Sequence, residues 1–238
     1  MPEHRVVARI DRILDVVARA AEPMTLTEIA AAIGAPISST RDLLRQLRAH
    51  GYLTTLDRRY RLGLRPHLLG LLGGVLTPAA LEHAELERLS RYARAPIALA
   101  ALVGREVLYL DHAGPRAPGR VQRVTDEHIP RPALRTAAGR LLVAFAPEAD
   151  RERLLGEVDP EAAAAFAAEL PAIRRQRLAR SDGLADPGIR AIALPVTERG
   201  AVVAATVVTA SRHRPARPDP ALDQAAARLA EALAGRAG

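Results

Sequence analysis

Apolar residues return at intervals of three and four from near the start of the chain. Ile10, Ile13, Leu14, Val17 and Ala18 form one stripe, which predicts an amphipathic helix from Val6 to Arg19. Pro23 stops it. Thr25-Leu26-Thr27-Glu28 has the form of a capping box, in which Thr25 accepts the N3 amide and Glu28 reaches back. A short helix follows with Leu26, Ile29, Ala30 and Ile33 inward, and Gly34 ends it. Pro36 opens a third helix, for which Ser38 or Ser39 offers a hydroxyl cap. Leu43, Leu44 and Leu47 are its buried face, and Gly51 terminates it. The period then changes to two. Tyr52 to Leu56 and Arg59 to Leu62 are strands around an Asp57-Arg58 turn. Two short helices joined by Gly34-Ala35-Pro36, followed by a hairpin wing, make a winged helix-turn-helix.

The rest of the chain mixes the two periods. Arg65 to Thr77 is apolar with Gly70, Gly73 and Gly74, and Pro78 to Arg94 reads as a helix with Leu81, Leu86 and Leu89 inward. Ile97–Val103 and Glu106–His112 form a hairpin turning at Gly104-Arg105, and Gly114 to Arg120 is a loop. Val121 to Thr125 is read as a short strand. Ala137–Ala146, Asp150–Leu155 and Pro160–Arg180 are helical; Ala191–Val196 and Ala201–Ala210 are strands; Asp219–Gly235 is a closing helix. The order predicts an α+β fold. The pattern divides the chain into a winged helix-turn-helix over 1–65, a helical linker over 66–94 and a C-terminal α/β domain over 95–238.

Charge sharpens the first domain. All 34 basic residues are arginine, so arginine informs only through its placement. The segment from Ser38 to Arg65 carries seven arginines against Asp42 and Asp57. A recognition helix presents its outward residues to base edges in the major groove. On the third helix these are Ser38, Ser39, Arg41, Asp42, Arg45, Gln46 and Arg48, with Thr40 grouped beside the serines. Arginines suit guanine, and the serines near the helix start suit phosphate. Arg58 and Arg59 at the wing suit the backbone or minor groove. The same fold can also serve as a protein–protein module, which leaves open a small-molecule sensor or enzyme that uses its winged helix for protein contact.

Other chemistry is poorly provided for. The chain has no cysteine, which removes disulfides, thiolate metal sites and cysteine nucleophiles. Aromatics at 3% are too few for stacking on single strands. No run reaches the roughly 18 apolar residues of a membrane span. The start of the chain lacks an apolar signal core, so a cytoplasmic protein is expected. The seven histidines (4, 50, 67, 83, 112, 128, 213) do not pair at helical spacing. No G-x-S-x-G elbow, phosphate loop or dinucleotide fingerprint is present. No catalytic residue, metal or cofactor is therefore expected.

Leu26-Thr27-Glu28-Ile29-Ala30, Gly34-Ala35-Pro36, Ser38-Ser39-Thr40, Gly51-Tyr52-Leu53 and Arg59-Tyr60-Arg61-Leu62-Gly63 resemble the DNA-binding domain of the IclR family of bacterial transcriptional regulators. Tyr109-Leu110-Asp111, the run from Pro132 to Pro147, and Gly188 to Val196 resemble motifs of its second domain, in order. The resemblance implies a GAF-like effector domain, a homodimer or homotetramer, a palindromic operator on double-stranded DNA, and a small-molecule effector, often an organic or aromatic acid. Ile37 and Asp42 stand where the family commonly has basic residues, so a different operator sequence is expected.

A pocket is expected between the sheet and the segment Thr136-Ala137-Ala138-Gly139, whose helix-start amides can hold a carboxylate. The resemblance implies backbone amides at Ala137 and Ala138, an acidic loop reduced here to Asp186, Ala191 at a cysteine position, and Val207 and Thr209 at two hydroxyl positions. It predicts a pocket with most of its polar far wall lost, suited to a larger or less polar ligand; the alternative is a vestigial pocket. Arg135 is either a charge partner for an anionic ligand or a surface arginine.

Overall fold

The capping box forms as the sequence predicts. Thr25 Oγ1 accepts the Glu28 amide and Glu28 Oε2 accepts the Thr25 amide at 2.7 Å. In this computed structural model, which describes residues 5–72, 81–115, 121–211 and 219–235, the chain divides into two units, Met1–Thr77 and Pro78–Gly238. Expectations for Gly73, Gly74, 75–80, 116–120, His4 and His213 lie outside the described residues.

The first unit runs α1 (Arg5–Arg19), β1 (Met24–Thr25), α2 (Leu26–Ile33), α3 (Ile37–Ala49), β2 (Leu53–Leu56), β3 (Arg59–Leu62) and α4 (Arg65–Leu72). Its core joins Ile13 and Val17 of α1, Ile29 and Ile33 of α2, Leu44 and Leu47 of α3, and Leu53 of β2. Gly34 ends α2 in the left-handed region, at φ 64°. The wing turn is tight because Asp57 and Arg58 both take positive φ, 49° and 60°, which matches the twist of the paired strands. β1 is an addition to the predicted elements. Two residues long, it pairs antiparallel with β3 and is too short to show a period.

The cap of α3 differs from expectation. The helix starts at Ile37 with Pro36 as its N-cap and no side-chain cap. Ser38 and Ser39 therefore lie inside the first turn, and Ser39 Oγ donates back to the Pro36 carbonyl at 3.1 Å.

The second unit contains α5 (His83–Ala93), β4 (Ile97–Val103), β5 (Glu106–Ala113), α6 (Val121–Asp126), β6 (Arg131–Pro132), α7 (Ala137–Phe145), α8 (Glu148–Glu157), α9 (Pro160–Gln176), β7 (Ala179–Asp182), β8 (Ile189–Glu198), β9 (Ala201–Ser211) and α10 (Pro220–Ala234). The strands form one antiparallel sheet in the order β6-β5-β4-β9-β8-β7. Both faces are buried. Ile192, Leu194 and Val196 pack with α5 and α10, while Ala193 packs with α7 and α9. This two-sided burial explains why β8 and β9 read as continuous apolar runs rather than alternating ones.

Two sequence assignments change here. Val121 to Asp126 is a helix, not a strand. Val121 and Val124 sit three apart on one face, and Thr125 Oγ1 donates to the Val121 carbonyl at 3.1 Å. The helix expected to reach Arg180 ends at Gln176, where Arg177 turns left-handed at φ 49°, and the chain continues as β7. The stretch from 66 to 94 contains α4, in the first unit, and α5, which packs Leu86, Leu89 and Ala93 into the core of the second. Among the described residues no helix is long and apolar enough to cross a membrane.

Candidate DNA-reading helix and effector pocket

Leu44 and Leu47 anchor α3 to the core, so helical geometry turns Ser38, Arg41, Asp42, Arg45, Gln46 and Arg48 to solvent. Ile37 is 45% exposed at the helix start. Arg45 Nη2 lies 3.2 Å from Asp42 Oδ1, an exposed pair one turn apart. Among the described residues, Arg41, Arg48 and Arg58 have no carboxylate at salt-bridge distance. These cations are available to an outside partner.

Two of the expected DNA contacts are placed elsewhere. Thr40 is fully buried, with Oγ1 donating to the Pro36 carbonyl at 2.9 Å. One step around the helix from Ser39, it faces the core and cannot touch DNA. Arg59 sits on β3 beside the turn rather than at its tip. Its Nη1 donates to the Pro23 carbonyl at 2.8 Å and lies 3.5 Å from Glu28 Oε2. That guanidinium ties the wing to the start of α2, and Arg58 alone occupies the tip. The Thr25 amide and then its hydroxyl, helped by Arg59, hold the Glu28 carboxyl below its ordinary value.

The second unit holds a cavity of about 560 Å³. Thr136 and Ala137 line it at the start of α7, and the 183–188 loop contributes Ala185, Asp186, Pro187 and Gly188. The Gly183 amide bonds to the Ile189 carbonyl at 2.9 Å and closes the neck of that loop. Asp186 Oδ1 accepts the Gly188 amide at 3.0 Å. The sheet supplies a row set by register: Ser181 of β7 opposite Ala191 of β8, opposite Thr209 of β9, with Ser211 following. Val121 and Val124 of α6 form a further wall. His112 Nε2 to Asp126 Oδ1 at 2.8 Å, and His128 Nδ1 to the Tyr109 carbonyl at 2.6 Å, tie α6 and its following turn to β5.

Thr136, Ala137, Asp186, Ala191 and Thr209 all line this one cavity. Ala138 and Gly139 do not line it. Ala138 is fully buried, and the Gly139 amide is taken by Thr136 Oγ1 at 3.0 Å. A Cβ on Gly139 would lie 2.2 Å from the Ala133 carbonyl oxygen, so this glycine serves close packing. Val207 is also buried away from the cavity. The far wall is not stripped of polar groups as expected, because Ser181 and Ser211 join Thr209 there. Arg135 is exposed, does not line the cavity, and donates to the Leu184 carbonyl at 3.1 Å. The arginine that lines the cavity is Arg131, whose Nη2 donates to the Ala185 carbonyl at 2.7 Å.

Tyr109 also lines the cavity; burial pushes its phenol up to about 12, against the opposing pull of Arg131. It therefore remains a neutral hydrogen-bond donor. Sequence reasoning missed Tyr109, Arg131 and Ser181. Ser181 depends on β7, whose first two residues fall in the stretch expected to be helical, and Arg131 on a two-residue strand. Among the described residues no cluster of three or more metal-ligating side chains occurs.

Comparison with known proteins identifies both units. The IclR helix-turn-helix domain matches residues 6–57, and the bacterial transcriptional regulator IclR C-terminal domain matches 79–234. The chain belongs to the IclR family of bacterial transcriptional regulators. It is 32% identical over 201 residues to the protein named "Probable transcriptional regulator SauR" of Cupriavidus necator, covering 79% of this chain and 78% of that one. An IclR homolog of Microbacterium hydrocarbonoxydans, solved in complex with 4-hydroxybenzoate, shares the fold at TM-score 0.63 and 24% identity, over 96% of this chain and 99% of its own. The IclR transcriptional regulator of Alicyclobacillus acidocaldarius is similar at TM-score 0.65 and 24% identity, over 98% and 97%. IclR proteins regulate transcription and are not enzymes, so the first unit is the DNA-binding module and the second the effector domain.

Proposed function

We propose that this IclR regulator acts in the cytoplasm as a homodimer or homotetramer on a palindromic operator, and that an organic acid, aromatic in the first instance, sets its DNA occupancy. The observation that carries the reading is the outward face of α3, where Arg41, Arg48 and the Asp42–Arg45 pair stand exposed on a helix anchored from behind by Leu44 and Leu47. Arg41 and Arg45 read base edges, Ser38 and Ser39 approach phosphate at the helix start, Asp42 shapes the base preference beside Arg45, and Arg58 supports the complex from the wing. Ile37 offers a methyl-sized apolar contact to thymine.

The effector reading rests on the cavity. About 560 Å³ falls within the range of small-molecule sites. One wall is cationic, another carries hydroxyls, and Val121 and Val124 add an apolar side. That set suits a flat acid with a polar substituent, the chemistry of the 4-hydroxybenzoate held by the Microbacterium homolog. Thr136, Ala137, Asp186, Ala191 and Thr209 surround it. Ligand binding favours one oligomer geometry over another and so shifts the population that fits two adjacent grooves.

Selection from fragmented genomic DNA, followed by footprinting with and without 4-hydroxybenzoate, tests this function. The expected result is an enriched inverted repeat whose protection changes with the acid. Failure to enrich any sequence overturns the DNA reading; protection indifferent to a panel of aromatic and aliphatic acids overturns the effector reading.

A further inference from the structure

Arg131 lies on β6 at the edge of the sheet, where it meets the cavity. The one hydrogen bond of its guanidinium among the described residues goes to a neutral acceptor, the Ala185 carbonyl. No carboxylate of the described residues lies within salt-bridge distance of it. Asp186, the acid on the same loop, uses Oδ1 on the Gly188 amide instead. A whole positive charge therefore faces a half-enclosed space with only a carbonyl dipole to answer it. A cation in a partly enclosed site with no counter-charge beside it gains when an anion arrives. A guanidinium has five N–H donors in a planar fork, so a carboxylate can bind beside the Ala185 bond without displacing it.

We propose that Arg131 is the specificity-determining residue of the pocket: it selects an anionic ligand and, with the same guanidinium, holds the 183–188 loop over that ligand. The inference rests on the effector reading above and assigns its charge preference to one side chain. Arg135 provides an internal comparison. It bonds the adjacent Leu184 carbonyl on the same loop but does not line the cavity. Two arginines thus support the loop, and one of them also faces the ligand. Tyr109, a protonated phenol without a partner among the described residues, supplies a neutral donor on the sheet side and cannot replace the charge.

The test is calorimetric titration of the full chain with benzoate, 4-hydroxybenzoate and succinate, and with the matching uncharged amides. The proteins are the wild type, Arg131→Gln, Arg131→Met and Arg135→Gln. Gln keeps a donor for Ala185 but removes the charge; Met removes both. Wild type should prefer acid over amide at least tenfold. Both Arg131 variants should weaken acid binding by about 10- to 100-fold, the range for a hydrogen bond to a charged group, and bind acid and amide within about threefold of each other. Arg135→Gln should keep the acid preference. In the wild type, and not in the Arg131 variants, the acid should also slow hydrogen exchange at the amides of 184–186.

An acid preference retained in both Arg131 variants overturns the proposal. So does an equal loss in Arg135→Gln, which would place the effect in the loop rather than the charge. If wild type binds amides as well as acids, the inference fails while the effector reading stands. If it binds none of the compounds, the effector reading falls and this inference with it.

Discussion

Thr25 shows how much a single hydroxyl can decide. It ends β1, caps α2 and, through Glu28, meets the arginine that steadies the wing. Thr25→Ala should cost about 1 kcal/mol, seen as roughly fivefold faster hydrogen exchange in α2. Gly139 works by what it lacks. Gly139→Ala forces a Cβ onto the Ala133 carbonyl and should destabilise the second unit by about 3 kcal/mol, measured by urea unfolding. His83, at the start of α5, accepts its raised pKa first from the hydrogen bond to Asp111 at 2.9 Å, then from that carboxylate's charge. A raised folded value means that the contribution is complete below the unfolded value of 6.5 and fades as pH rises through the folded one. Melting of wild type and His83→Gln across pH 5 to 9 should therefore converge at the alkaline end. A gap that widened with pH would contradict the assignment. Glu28 has the opposite sign: its lowered value contributes above 4.5 and is lost on acidification.

At the scale of elements, the legible parts are those with a sustained period or a punctuating residue. Ile10 to Ala18 and Leu43 to Leu47 announced α1 and α3, and Gly34 and the Asp57-Arg58 pair announced the turns. The illegible parts are short or set by tertiary pairing. β1 and β6 are two residues each, and β7 hides behind an alanine-rich helix until Arg177 breaks it. The candidate pocket follows the same division. Thr136 and Asp186 carry local signals, a cap and an Asx turn, whereas the Ser181–Ala191–Thr209 row exists only once three strands are in register. Thr40 lies four residues before Leu44 and seven before Leu47, so the helical period itself puts it on the buried face, and grouping it with Ser38 and Ser39 overlooks that. The functional elements carry their own expectation. Arg41→Ala in α3 should weaken specific binding by about 1–3 kcal/mol and relax one base position. Arg58→Ala at the wing tip should weaken all sequences alike and lower the salt slope by about one. Electrophoretic shifts on matched and scrambled duplexes at two salt concentrations separate the two effects.

At the scale of the whole molecule, the proposed effector and operator binding must obey reciprocity. If an acid in the effector domain changes operator affinity by some factor, operator DNA must change acid affinity by the same factor. Titrating 4-hydroxybenzoate into the free and operator-bound protein should give two affinities whose ratio equals the shift in DNA binding. The central claim is that the outward face of α3 reads duplex DNA, twice per assembly. Fluorescence anisotropy on the duplex recovered by selection tests it most directly, comparing wild type with the Arg41→Ala, Arg45→Ala double variant at equal fold stability. Wild type should bind the duplex with two half-sites about one helical turn apart or a multiple of it, with affinity falling steeply as salt rises, and the variant should lose the distinction between operator and scrambled DNA. Unchanged discrimination in the variant would contradict it.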